Sequence, residues 1–209
     1  MILSRDHGAV ADVAKGNQDW MYTVVNPGQP MVKPFLHDIE ELLWPKGFTR
    51  DMWMIVDGAR DQRAYTTVVS SYMNYSCLYA GDLAPALERA APYLVQLEFE
   101  SGETRRLIDR AWGHSWGVFL RCDDRMEKVR RHLRQFLRVR DRQGRFLVFR
   151  YYDPRVLRIY LPTCTTEELR TVFGPIESFY MEDENPAAVV QCRRDTAGKL
   201  AIKKAPVSV

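Results

Sequence analysis

Residues 145–162 read RFLVFRYYDPRVLRIYLP, and the parsing of this stretch decides the fold. Phe146, Leu147, Val148, Phe149, Tyr151 and Tyr152 are the apolar and aromatic types that suit a pleated surface, so they predict a buried strand. Asp153 stands where a helix N-cap belongs, because its carboxylate can accept from the free N–H groups of a first turn. Pro154 follows at the first helical position, where its missing N–H costs nothing. Val156, Leu157, Tyr160 and Leu161 share one face of the helix, and Pro162 stops it. Arg150 and Arg155 flank the cap within reach of Asp153. The plain reading is a strand-to-helix junction tied together by charge; the sharper one is an anion site at the helix N-terminus.

Upstream, residues 1–35 read as an N-terminal extension with one short strand at Met21–Val25, and His37–Trp44 as a short helix. The run Met52–Val56 (MWMIV) is fit for a buried strand, and Asp57-Gly58 ends it with turn chemistry. Asp61 caps a helix running to Ser71, Tyr75–Tyr79 is a strand, and Asp82 opens a helix to Ala90. Tyr93–Phe99 alternates as a half-buried strand does. Ser101 caps a helix over Glu103–Trp112, and Trp116–Leu120 is a strand. Asp124 with Glu127 has capping-box spacing ahead of a helix with Met126, Val129, Leu133, Phe136 and Leu137 on one stripe. Thr165 with Glu168 is a second capping box, and that helix closes at Gly174-Pro175. Ile176–Met181, Ala188–Arg193 and Leu200–Lys204 read as C-terminal strands, the last two joined by a turn at Asp195–Gly198. The alternation predicts a mixed α/β fold: one mixed sheet covered by helices over residues 36–175, an N-terminal extension, and a strand-bearing tail over 176–209.

Composition narrows the function. A net charge of +3 over 209 residues is too mild to imply general nucleic-acid binding. An apolar fraction of 46% is enough for a real core. The opening MILSRDHGAVADVAKG has no apolar core region and is not read as a secretory signal. The longest uncharged run, Ala64–Gly81, is broken by Ser, Thr, Tyr and Asn and does not read as a membrane span. Cys77, Cys122, Cys164 and Cys192 form no close pair, and the four histidines lack ligand spacing. Reduced thiols in a cytoplasmic protein, with no metal or cofactor, are the expectation.

Two motifs invite chemistry. Gly113-His114-Ser115-Trp116-Gly117 matches G-x-S-x-G, the nucleophile elbow of esterases, which needs a strand before the serine and a helix after it. Here the expected order is reversed, and the one later histidine is His132 on the next helix. A glycine-rich helix-to-strand turn, with Trp112 and Trp116 in the core, accounts for the match equally well. Residues 125–145 are the most densely basic, and Arg131, Arg134 and Arg138 are expected on one side of a helix at i, i+3 and i+7. Such a face is solvated, docks an acidic protein, or binds phosphate. No aromatic platform is visible beside it for nucleic acid.

Seven short stretches carry a resemblance: Val56–Arg60, Cys77–Gly81, Ala91–Val95, Trp112-Gly113 with Trp116-Gly117, Arg131–Arg134 before Phe136-Leu137, Phe149–Leu157 (FRYYDPRVL), and Phe173–Pro175. In this order, over roughly 52–175, the chain resembles the bacterial type VI secretion adaptor, or chaperone, family. The resemblance implies a non-catalytic protein that binds a toxic effector and helps mount it on the spike protein of the secretion tube. It transfers no catalytic residue. Asp57, Gly58, Trp112, Trp116, Arg150, Asp153, Pro154, Arg155 and Gly174 are read as its structural signature, and Arg131, Arg134 and Arg138 as a candidate partner face. The competing readings are a serine hydrolase using Ser115 and a basic nucleic-acid module.

Overall fold

A computed structural model describes residues 33–46, 51–140 and 143–208. The helices are α1 (Pro34–Leu43), α2 (Gln62–Val69), α3 (Pro85–Arg89), α4 (Gly102–Ala111), α5 (Met126–Arg134), α6 (Pro154–Tyr160) and α7 (Thr166–Phe173). The strands are β1 (Met52–Asp57), β2 (Tyr75–Cys77), β3 (Pro92–Leu97), β4 (Gly117–Arg121), β5 (Arg138–Arg140), β6 (Phe146–Val148), β7 (Ser178–Glu182), β8 (Ala188–Arg194) and β9 (Leu200–Pro206). Seven strands form one sheet in the order β2-β3-β1-β4-β7-β8-β9, and β5-β6 is a separate two-stranded ribbon. The mixed α/β class and the helix-covered sheet are as expected. All pairings are antiparallel, rather than of both directions.

Helices cover both faces of this sheet. On β1, Trp53 and Ile55 enter a core with Val129 and Leu133 of α5, Leu157 of α6, and Leu169 and Phe173 of α7. Met52, Met54 and Val56 enter the opposite core with Leu36 and Ile39 of α1, Val68 of α2, and Leu107 and Ile108 of α4. This explains the unbroken apolar run in MWMIV: a strand buried on both faces has no polar side to show. The same burial overrides the half-buried reading of β3, where only Gln96 escapes full burial. The strands from 178 onward continue the sheet, with β7 paired to β4.

Several local expectations hold. Asp61 caps α2 by accepting from the Arg63 N–H, Asp153 caps α6 with Pro154 in the first turn, and Thr165 and Glu168 form a reciprocal capping box on α7. Gly174 ends α7 at φ +49°. Others are corrected. Phe146–Val148 is not a buried strand but an exposed one, while Tyr151 and Tyr152 are buried in the turn that follows it. An apolar run alone does not say which neighbour will cover it. Asp124 does not cap α5: the N-cap is Arg125, without a side-chain bond, and Asp124 pairs with Lys128 one turn on. The helix placed after Asp82 starts at Pro85, because proline favours the first turn. The strand expected at Met21–Val25 lies outside the described residues.

Candidate functional site

The charged signature residues gather where β1 ends. The carboxylate of Asp57 is fully buried. Its Oδ1 accepts from the Ala59 N–H at 3.0 Å, and its Oδ2 takes Arg150 Nε at 3.2 Å and Arg150 Nη2. Gly58 donates to Ala91 O at 3.1 Å, and a Cβ there would lie 2.4 Å from Arg89 O and 2.6 Å from Ala91 O. Only glycine fits that approach. Arg150 thus turns to Asp57 rather than to Asp153, whose Oδ1 accepts from the Arg155 N–H and Nε, both at 3.0 Å. Arg155 Nη2 closes the pair on Oδ2 at 2.6 Å.

The two buried aspartates feel opposite balances. Burial pushes the Asp57 carboxyl up, against the pull of Arg150. At Asp153 burial also pushes upward, but the hydrogen bonds and charge of Arg155 outweigh it and the carboxyl ends below its ordinary value. Aromatic rings bind the cluster to its neighbours. Tyr151 donates to Leu133 O at 2.9 Å and meets Phe136, Phe149 and Tyr152 at centroid distances of 6.1, 6.0 and 5.5 Å. Phe149 meets Tyr160 of α6 at 4.7 Å. This is a fastening rather than an open site.

The G-x-S-x-G match is a second structural turn, lying between α4 and β4 as expected. Gly113 has φ +78° and Ser115 φ +55°. One carboxylate holds both, since Glu182 accepts from Gly113 N–H at 2.7 Å and from Ser115 Oγ at 2.7 Å. Trp112 Nε1 donates to Pro186 O at 2.8 Å, and Trp116 is buried with its carbonyl accepting from the Asp57 N–H at 2.7 Å. Gly117 is required by β1, because a Cβ would lie 1.9 Å from Ile55 O. His132, the partner a hydrolase would need, is engaged elsewhere: its Nε2 lies 2.9 Å from Val172 O, and its ring fills the space beside Gly174. Burial holds that imidazole below its ordinary pKa.

The basic segment is not one helical face. α5 ends at Arg134, so Arg131 and Arg134 stand in its last turn, where cations suit the helix dipole. Arg138 has left the helix for β5. Register pairs Arg138 with Val148, Val139 with Leu147, and Arg140 with Phe146. One ribbon face therefore carries Arg138, Arg140, Phe146 and Val148, and the other carries Val139 and Leu147. The guanidinium carbons of Arg138 and Arg140 lie 4.4 and 4.5 Å from the centre of the Phe146 ring. All six strand residues are exposed. The base is tied down: Phe149 N–H donates to Leu137 O at 3.1 Å, directly before the Asp57–Arg150 fastening.

Comparison with known families matches residues 52–171 to the model described as "Domain of unknown function (DUF4123)". The chain belongs to the DUF4123 family. That family is associated with type VI secretion effector adaptors. No curated protein and no solved structure matches the chain.

The signature residues are thus drawn into three places: the β1 fastening, the Glu182 turn with Trp112 and Trp116, and the end of α7, where Gly174 packs against His132. Arg131, Arg134 and Arg138 are not brought onto a common face. The ribbon's apolar residues, which their run assigns to a buried strand, stand exposed instead. The signal for a ribbon was present: Arg138-Val139-Arg140 alternates, and Gly144, at φ +79°, sits in the turn before Phe146. Among the described residues no group of three or more His, Cys, Asp or Glu side chains could hold a metal, and no helix is long and apolar enough to cross a membrane. The four cysteines are free thiols.

The cap on α6 yields a prediction. Asp153→Ala lowers stability by about 1–2 kcal/mol, the upper part of the range for a lost N-cap, because the pair with Arg155 goes too. A carboxyl depressed in the folded state contributes stability above its unfolded pKa and loses it as pH falls through the folded one. The melting-temperature gap between wild type and Asp153→Ala should therefore be full at pH 7 and close in acid below the ordinary aspartate range. A gap that stays constant with pH would contradict the charge contribution.

Proposed function

We propose that this DUF4123 protein is a non-catalytic, cytoplasmic adaptor that binds a type VI secretion effector and promotes its loading onto the spike protein. Family membership supports the general role. The observation that carries the reading is a division of labour within the family match. Its charged signature groups Asp57, Arg150, Asp153 and Arg155 are paired with one another. Four of the ten exposed large apolar side chains among the described residues, together with Arg138 and Arg140, stand on a small ribbon outside the main sheet. A scaffold fastened inside and presenting one adhesive projection suits a carrier. Ser115 fits that reading as a turn residue, its hydroxyl bonded to a carboxylate rather than to a histidine.

Co-expression with a candidate toxin taken from the neighbouring genes tests the proposal. A complex of one copy each should co-elute on gel filtration at micromolar concentration, since specific interfaces bury about 1,600 Å² in total. Ser115→Ala should co-purify the toxin as wild type does and change no ester hydrolysis. Wild type that elutes apart from both the toxin and the spike contradicts the adaptor reading. Hydrolysis by wild type that vanishes in Ser115→Ala contradicts the non-catalytic one.

A further inference from the structure

We propose that the β5–β6 ribbon docks an extended, acidic segment of the protein partner whose apolar residues alternate with its carboxylates. The proposal rests on the adaptor reading for the identity of that partner. Among the described residues ten large apolar side chains are exposed, and four of them, Val139, Phe146, Leu147 and Val148, lie among the six strand residues of this ribbon. Val148 is 61% exposed and Phe146 54%. A two-stranded ribbon with both faces open is marginal by itself. Leaving these groups in water forgoes roughly 25 cal/mol for every Å² of apolar surface that a partner could cover.

Charge sets the partner's chemistry. Arg138 and Arg140 rise on the same face as Phe146 and Val148, and no described carboxylate is paired with either guanidinium. Both arginines instead lie against one aromatic ring, their strand residues exposed. Planar guanidinium forks donate to carboxylates in two-point geometry. A strand laid along the ribbon would place alternate side chains on this face. Carboxylates would meet Arg138 and Arg140, and apolar groups would meet Phe146 and Val148.

The edges of the main sheet are poorer hosts. β2 is three residues long, and β9 presents exposed Lys203 and Lys204, both ordinary ways of discouraging strand addition. The ribbon's strands are as short as β2, but β6 carries no charge or proline along its length: Phe146, Leu147 and Val148 follow one another, all exposed.

Fluorescence anisotropy with a labelled synthetic peptide of alternating Glu and Leu or Val residues, on the full chain, tests this without the toxin. A matched peptide with Lys for Glu is the control. The acidic peptide should bind, more weakly as salt rises, and the Lys peptide should not. Arg138→Glu/Arg140→Glu and Phe146→Ser/Val148→Ser should each weaken binding by about tenfold or more with unchanged melting temperature. Arg138→Gln/Arg140→Gln removes the charge without reversing it and should weaken binding in the same direction. Equal binding of both peptides, or binding untouched by these variants, overturns the proposal. So does preference for a single-stranded oligonucleotide, or self-association of the chain that Phe146→Ser/Val148→Ser abolishes while no acidic peptide binds. Failure of the peptide with a toxin complex intact removes the ribbon and spares the adaptor. Failure of the toxin complex with the peptide bound does the reverse.

Discussion

Arg150→Ala should lower the melting temperature by about 6–12 °C. Removing one partner of a buried ion pair costs about 3–5 kcal/mol, because the other charge is left without compensation. The low end applies here: Asp57 is wholly buried, but the Arg150 side chain is 39% exposed. For a domain of this size each kcal/mol is about 2–4 °C. The loss has a second signature. Asp57 is already raised by burial, and without Arg150 its carboxyl rises further. A carboxyl raised in the folded state contributes stability below its unfolded pKa and loses it as pH climbs through the folded one. The variant should therefore recover part of its deficit as pH falls toward the ordinary aspartate range. Asp57→Asn in the same background should restore stability at neutral pH, since the amide carries no charge and its oxygen can still accept from Ala59 N–H. Thermal melts of the single and double variants check this; a deficit independent of pH and unrelieved by Asp57→Asn would mean that the pair is not the source.

Gly117→Ala should be worse. The new Cβ would stand 1.9 Å from Ile55 O and 2.9 Å from Ile55 C, both backbone atoms of the paired central strand. Overpacking usually costs about 1–3 kcal/mol. Here no side chain can yield, so the cost is about 3 kcal/mol or more and the expected result is insoluble protein. The three small residues of the turn then rank themselves. Gly113→Ala has open space around its Cβ but φ +78°, and costs about 1–2 kcal/mol of backbone strain. Ser115→Ala loses one hydrogen bond, about 1 kcal/mol. Soluble yield and melting temperature should follow the order Ser115→Ala, Gly113→Ala, Gly117→Ala from mildest to most severe. A nucleophile elbow predicts a different pattern, in which Ser115→Ala folds normally and alone abolishes an activity.

Much of this fold is legible in the sequence wherever a local rule settles the matter. Asp153-Pro154, Thr165 with Glu168, and Gly174 announce helix ends through chemistry that needs no neighbour. MWMIV announces a strand buried on both sides. What the sequence withholds depends on pairing between distant residues. Arg150 lies next to Asp153 along the chain but closes on Asp57, because β1 delivers a buried carboxylate there. The run RFLVF looks like core, yet it exits the sheet, because its partner is the short β5 rather than a central strand. The basic face dissolved for a simpler reason: α5 stops at Arg134, four residues short of Arg138. The ribbon's identity as the adhesive part follows only from exposure, which composition cannot report.

The central claim is that the family signature fastens the scaffold while the ribbon meets the partner. Hydrogen–deuterium exchange of the full chain, alone and in complex with its co-expressed toxin, tests it most directly. The account predicts new protection over residues 138–148, with Asp57–Arg60 and Arg150–Arg155 equally slow in both states. Protection gained across Asp57–Arg60 and Arg150–Arg155, with 138–148 exchanging as fast in the complex as in the free protein, would contradict it.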